Sequence, residues 1–545
     1  MPTTRDLVAE RLAAALESSV GVRTEVEVAR PQQTEHGDFS TNAALKLAGT
    51  LRRPPREVAA QLVEAIGAAA DDPLIERAET AGPGFVNLWL APGHVEQALD
   101  AIRSAGREYG RTQLADARSI NVEFVSANPT GPLHVGNSRG AFVGDMICRV
   151  LEAVGHRVKR EYYFNDIGGQ VEKLGQSVLA LREGRPVPDD GYHGDYVAPL
   201  AAQLPDELRA TAEADESRAG WIVGEWASEQ VRAGIEASLE RLGVHFDVWK
   251  SEGSLHRDGW VERGVDQLRR DDKVYEQEGA LWFRSTAYGD EKDRVVIRSN
   301  GEPTYFASDI GYLLEKFSRG SDDLVYVWGA DHHGTVARLL NAAEGLGFDR
   351  ASVSVLLIAW VRFVRDGVEM SMSKRSGEFV TLDELLEEVG VDAARWYFAS
   401  RAPSTGIDFD IDLARKQSNE NPVYYVQYAH ARISSILRKA SDEGLSASES
   451  LVGALADDEV ALGLAKDLLR LPDIVRDAAA VRETQAITTY ATELATRFHA
   501  FYRDRRVVDA ADPQTSASRL ALVDATRATL SAALGLLGIS APESM

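Results

Sequence analysis

A chain of 545 residues is too long for one hydrophobic core, so about two to four domains are expected. Its single cysteine, Cys148, excludes an intrachain disulfide framework and any multi-cysteine zinc site, and no apolar run is long enough to span a bilayer. The formal charge of −24 argues against a broadly basic nucleic-acid binder, although phosphate contacts need cations on only one face.

Residues 1–20 mix Arg5, Asp6, Glu10 and Arg11 with apolar residues at helical spacing, the pattern of a surface helix and not of a secretory signal. A second helix is expected around Arg56–Gly67. A strand at Gly84–Leu90 follows the turn signal Ala81-Gly82-Pro83-Gly84, so residues 1–110 read as a small α/β domain. From Ser119 the texture changes. Ile120–Val125 reads as a buried strand, Asn128–Pro132 as a loop, Ser138–Val154 as a helix and Val158–Phe164 as a second strand. That order opens a parallel α/β sheet over residues 111–395. Further strands are expected at Leu324–Trp328 and Val355–Trp360, and the charged stretch 169–291 reads as an insertion into the sheet domain. Beyond about Asp392 strand signals fade. Helical spacing at Pro422–Ala440, Val460–Ala479, Thr484–Tyr502 and Ser518–Leu537 predicts an all-α bundle over 396–545.

Two motifs carry chemistry. His134-Val135-Gly136-Asn137 lies between a strand and a helix, where open α/β sheets bind ligands. A helix N-terminus favours phosphate, His134 can donate to phosphate oxygens, and Gly136 lets a flat ring approach the backbone. Neither a GxxxxGK[ST] loop nor a GxGxxG turn after a strand is present, which speaks against a P-loop kinase or a dinucleotide enzyme. Downstream, Met372-Ser373-Lys374-Arg375-Ser376-Gly377 forms a basic loop suited to closing over a polyphosphate. Thr381 and Glu384 have capping-box spacing for the helix after it, and Gly390 marks its stop. The adjacent pair His332-His333 is a poor metal site, because neighbouring side chains rarely point at one ion, and no protein-bound metal is expected.

Together these motifs resemble the HIGH and KMSKS signatures of class I aminoacyl-tRNA synthetases. The segments Val122–Gly131, Thr304–Ile310, Trp328–Gly334 and Asp408–Arg432 narrow the resemblance to the arginyl-tRNA synthetase family, and it covers nearly the whole chain. The resemblance implies a Rossmann-like parallel-sheet catalytic domain with an insertion, an N-terminal α/β domain meeting the tRNA elbow and a C-terminal helical bundle binding the anticodon. It also implies the reaction: L-arginine is activated by ATP with Mg2+ to an arginyl-adenylate, then transferred to tRNA(Arg). A cytoplasmic monomer is expected, with pyrophosphate exchange requiring tRNA.

Transferred residue by residue, the resemblance assigns His134 and Lys374 to catalysis at the ATP phosphates. Gly136, Asn137, Met372 and Ser373 would complete the ATP site. Glu123, Tyr305 and Asp309 would surround the substrate guanidinium, with Ser126, Asn128 and His332 near its amino and carboxylate groups. Carboxylates suit a planar, always charged guanidinium, and Tyr305 and Asp309 share a face if their segment is helical. For tRNA, Asn87 would meet the elbow. Tyr425, Tyr428, Phe501 and Tyr502 could stack on bases, with Arg503, Arg505 and Arg506 for phosphates. Asn137, Ser371 and Arg375 depart from the general signatures. The competing reading is a non-catalytic tRNA-binding or regulatory paralogue, against which His134, Gly136, Lys374 and the pocket acids all argue.

Overall fold

The computed structural model describes residues 2–68, 72–370, 381–451, 453–455 and 457–545. The basic loop Ser371–Gly377, with Met372, Ser373, Lys374 and Arg375, therefore lies outside the described residues. The described chain divides into two compact units, one of residues 1–114, 153–155 and 417–545, the other of residues 115–152 and 156–416.

The second unit is built on a five-stranded parallel sheet. Its strands are β1 (Ser119–Glu123), β2 (Arg157–Phe164), β3 (Val248–Ser251), β4 (Asp323–Gly329) and β5 (Val353–Ile358), in the spatial order β5-β4-β1-β2-β3. Strands β1 and β4 read as almost continuous buried runs, as expected of a sheet covered on both faces. Helix α1 (Val135–Ala153) connects β1 to β2. Gly144 on α1 lets the helix approach the sheet, since a Cβ there would lie 2.3 Å from the Phe124 ring. Strand order reverses between β1 and β4. Ligand sites of such sheets form outside the carboxyl ends at that reversal, where Glu123 and Gly329–His332 stand.

Within the stretch expected to be an insertion, the segment Val248–Ser251 is an edge strand of the sheet itself. Local pattern hides it because it is short and only half-buried throughout. The helices Gly169–Arg182 and Ala219–Arg241 precede it, and a three-stranded antiparallel sheet (Val274–Gln277, Ala280–Phe283, Arg294–Ile297) follows. Helix α2 (Tyr305–Ser318) comes next. The Thr304 hydroxyl caps it, accepting from Ala307 N–H, and its Phe306, Ala307, Ile310 and Leu313 enter the core. Strand Ile407–Asp410 pairs in parallel with Val361–Arg365, so strand structure continues well past residue 396 and residues up to 416 cluster with the sheet unit.

The first unit joins a four-stranded antiparallel sheet, with Phe85–Leu90 as an inner strand, to the C-terminal helices. The Glu96 carboxylate accepts from the backbone N–H groups of Gly453 (2.6 Å) and Leu455 (2.7 Å), and Lys466 pairs with Asp38 at 2.7 Å. The expected helix at 460–479 is two helices, Glu459–Leu468 and Leu471–Val481. Pro472 stands in the first turn of the second, where its missing N–H does no harm; inside one continuous helix it would break the ladder. The remaining helices are Pro422–Asp442, Gln485–Asp504 and Pro513–Leu536. Among the described residues no helix is long and apolar enough to cross a membrane.

Candidate active site

Past the end of β1 the chain turns through Val125 (φ 67°) and Ser126 (φ 44°), a left-handed pair rare for residues with side chains and especially for β-branched valine. The turn folds Ser126 back so that its hydroxyl donates to Glu123 Oε1 at 3.2 Å and accepts from Tyr163 N–H at 3.2 Å. Ala127 is held by the Tyr162 hydroxyl, which donates to its carbonyl at 2.9 Å, and the Asn128 amide donates to Gln170 at 2.9 Å.

At the start of α1, His134 Nδ1 accepts from Gly136 N–H at 3.1 Å, which leaves Nε2 as the protonated ring nitrogen. A Cβ on Gly136 would meet that imidazole at 2.8 Å, so glycine here makes room for the histidine ring. Asn137 closes the same turn: its side-chain oxygen accepts from His134 N–H at 3.3 Å, which explains how an asparagine suits this position. Backbone pairing of His134 with Thr381, and of Leu382 N–H with Leu133 C=O at 3.0 Å, brings the capped helix Leu382–Val389 beside the motif. Its capping box between Thr381 and Glu384 forms as the spacing predicts, with Gly390 as its C-cap. Arg139, buried on α1, donates to the carbonyls of Ala359 and Ala402 (2.9 Å each), tying the helix to the segment beyond β5.

Helix α2 presents Tyr305 and Asp309 one turn apart. Tyr305 is 74% exposed, and Asp309 is open to water yet crowded by protein. Burial, then the negative charges of Glu252 and Glu123, push the Asp309 carboxyl up to about 7, opposed only in part by Arg338. Glu252, the first residue of a short helix at the carboxyl end of β3, is buried and hydrogen-bonded to Tyr163 and Ser308. Burial raises its carboxyl as well, while the Tyr163 and Ser308 bonds and nearby His256 pull it down. Ser308 Oγ also meets His256 Nε2 at 3.2 Å. Sequence reasoning missed Glu252, Tyr163 and Arg338. The signal that could have found Glu252 was its place just after a strand, but that strand was read as part of an insertion.

Glu123 is differently placed from Asp309. It is buried, and its Oε2 accepts from Lys316 Nζ at 2.5 Å, so its charge is met by a cation in the protein. His332 lies mostly exposed after β4, its ring 5.8 Å from that of Trp328. The arrangement thus brings His134, Glu123, Ser126, Asp309 and Glu252 to the carboxyl ends of β1 and its neighbours. Its surplus of carboxylate over cation around Asp309 can accept a cationic group with several planar donors.

Residues 5–90 match the family described as arginyl tRNA synthetase N terminal domain, residues 98–181 and 227–402 the catalytic domain of class I (R) tRNA synthetases, and residues 426–545 the DALR anticodon binding domain. The chain belongs to the arginyl-tRNA synthetase family. An arginine–tRNA ligase of Syntrophotalea carbinolica is 46% identical over 96% of this chain and 96% of its own length. That of Bacillus licheniformis is 43% identical over 96% and 94%. The arginyl-tRNA synthetase structure from Thermus thermophilus superposes with a TM-score of 0.78 at 25% identity, covering 99% of this chain and all of that one.

For an arginyl-tRNA synthetase family member, the features remote from the sheet are also informative. Asn87 lines a cavity of about 600 Å3 with Arg30, Asn42, His36 and Phe85. In the helical bundle Tyr425 and Tyr428 gather around His499, with ring centroids at 5.2 and 6.1 Å, and Arg432 lies over Tyr502 at 4.7 Å. Phe501 is core, 1% exposed, and therefore offers no stacking face. Arg505 is engaged by Asp458 through two nitrogens, whereas Arg503 is exposed and pairs with its neighbour Asp504.

Proposed function

We propose that the chain attaches L-arginine to tRNA(Arg) in two steps. In the first, a carboxylate oxygen of arginine attacks the α-phosphorus of ATP and pyrophosphate leaves. In the second, a terminal ribose hydroxyl of the tRNA attacks the carbonyl of the arginyl-adenylate and AMP leaves. No protein nucleophile is required, so the chain contributes positioning and electrostatic stabilisation. The observation that carries this reading is the pair Asp309 and Glu252, a carboxylate excess suited to a guanidinium, at the same carboxyl end of the sheet that the His134 turn follows.

On this reading Asp309, Glu252 and Tyr305 receive the guanidinium. Glu123, expected beside the guanidinium, has its charge met by Lys316 and instead faces the remainder of the amino acid with Ser126, Asn128 and His332. His134, with Gly136 and Asn137 shaping its turn, donates to ATP phosphate, and Lys374, Met372 and Ser373 also serve the ATP. Mg2+ is expected to enter on the ATP phosphates, as is usual for this ion. Residues 1–110 would serve the tRNA elbow through Asn87, residues 111–395 the chemistry, and residues 396–545 the anticodon through Tyr425, Tyr428 and Arg503. A cytoplasmic monomer is the proposed working form. Charging assays with tRNA(Arg), arginine and ATP test the proposal; failure to form arginyl-tRNA would contradict it.

A further inference from the structure

A lysine inside a protein needs a compensating charge, because its ammonium loses hydration that only close partners replace. Lys316 on α2 is fully buried, 0% exposed. Its Nζ donates to Glu123 Oε2 and lies 4.4 Å from the Tyr312 ring centre and 4.0 Å from that of Tyr326, two aromatic faces that hold a cation in a dry setting. Tyr305, Asp309, Tyr312 and Lys316 follow one another at spacings of four, three and four, so they form a single stripe along α2. The stripe opens to water at Tyr305 and Asp309 and ends inside at Lys316. The cation therefore ties the inner end of the helix bearing Asp309 to the last residue of β1.

We propose that Lys316 is a positioning residue for the arginine site, acting through Glu123. It takes one carboxylate oxygen and so directs the other, Oε1, towards Ser126 on the strained turn. In doing so it fixes the spacing between Glu123 and Asp309. The groups facing Glu123 are Lys316, Tyr312, Tyr326, Ser126, Tyr163 and Asp309. Lys316 is the cation among them, which makes the pocket less acidic than its carboxylates alone would set. This inference rests on the arginine-pocket reading above.

A double-mutant cycle read by substrate affinity tests it. Arginine and ATP dissociation constants are measured calorimetrically on the full chain for Lys316→Met, Glu123→Gln and the double variant, with Asp309→Asn as a control on the pocket. Lys316→Met is expected to weaken arginine about tenfold or more, to leave ATP within about twofold, and to add little in the Glu123→Gln background. If Lys316→Met lowers only the melting temperature and leaves arginine affinity unchanged, the pair is structural and the proposal is overturned. Equal weakening in both backgrounds also overturns it, because Lys316 would not then act through Glu123. Should Lys316→Met not fold, Lys316→Arg keeps the buried cation but moves its donors; weaker arginine binding supports positioning, and unchanged binding contradicts it. If Asp309→Asn leaves arginine affinity intact, the pocket reading itself fails, and this proposal with it.

Discussion

The backbone N–H of Gly136 donates to Nδ1 of His134 at 3.1 Å, and the space a Cβ would take at Gly136 lies 2.8 Å from that imidazole. One glycine thus sets both the tautomer and the place of the histidine. Gly136→Ala should displace the ring and lower kcat/KM for ATP by about 10- to 100-fold, with arginine affinity nearly unchanged. Steady-state kinetics in both substrates, with a melting curve to exclude unfolding, would show it. An alanine variant with normal ATP kinetics would break the link between this turn and phosphate binding.

Burial raises both the Asp309 and the Glu252 carboxyls, and the Glu252 charge raises Asp309 further, so each should matter more with a cation bound than without one. Asp309→Asn and Glu252→Gln should each cost about 2–4 kcal/mol of arginine binding and leave ATP binding nearly intact. Both variants should keep or gain thermal stability in the absence of arginine, because each relieves repulsion between carboxylates. Calorimetry with arginine and with ATP separates the two effects.

The raised Asp309 carboxyl predicts a pH dependence with a definite sign. Its value of about 7 means the free chain holds a proton there near neutrality, whereas the arginine guanidinium favours the ionised form. Arginine binding should therefore release a proton, and affinity should rise from about pH 6 to 8 before levelling. The folded value lies above that of an unfolded aspartate, about 3.9. The stability this group contributes is thus fully present below about pH 4 and is lost as pH rises through about 7. Asp309→Asn should flatten both profiles, and Glu252→Gln should move the inflection to lower pH. Titrations in buffers of different ionisation enthalpy count the protons released.

Asn87 lines the cavity of the N-terminal sheet together with Arg30 and Asn42. Asn87→Ala should raise KM for tRNA about tenfold while leaving arginine and ATP affinities alone, since loss of a site that hydrogen-bonds a base leaves polar partners unpaired. A change confined to arginine or ATP kinetics would instead place Asn87 in a purely structural role.

The parts of this molecule that follow local rules were legible in its sequence. The segment Ile120–Val125 read as a buried strand and marked β1, Thr381 and Glu384 marked their capping box, and the four-residue spacing of Tyr305 and Asp309 placed both on one face of a helix. Residues whose meaning depends on distant partners were not. Glu252 follows a four-residue, half-buried strand that carries no periodic signal, and only pairing with β2 shows where it points. Lys316 sits in a helix that reads as amphipathic, so its full burial against Glu123, 193 residues away, could not be inferred from spacing. Phe501 looked like a stacking face and is core, a burial that helical spacing alone does not distinguish from an exposed face.

An acid-lined site that selects arginine for activation on ATP should discriminate among amino acids at the activation step. The most direct measurement is pyrophosphate exchange into ATP with each standard amino acid in turn, in the presence of tRNA(Arg). Exchange should depend on arginine and be lost in Asp309→Asn at subsaturating arginine. Exchange driven equally well by an uncharged amino acid, or no arginine-dependent exchange with tRNA(Arg) present, would contradict it.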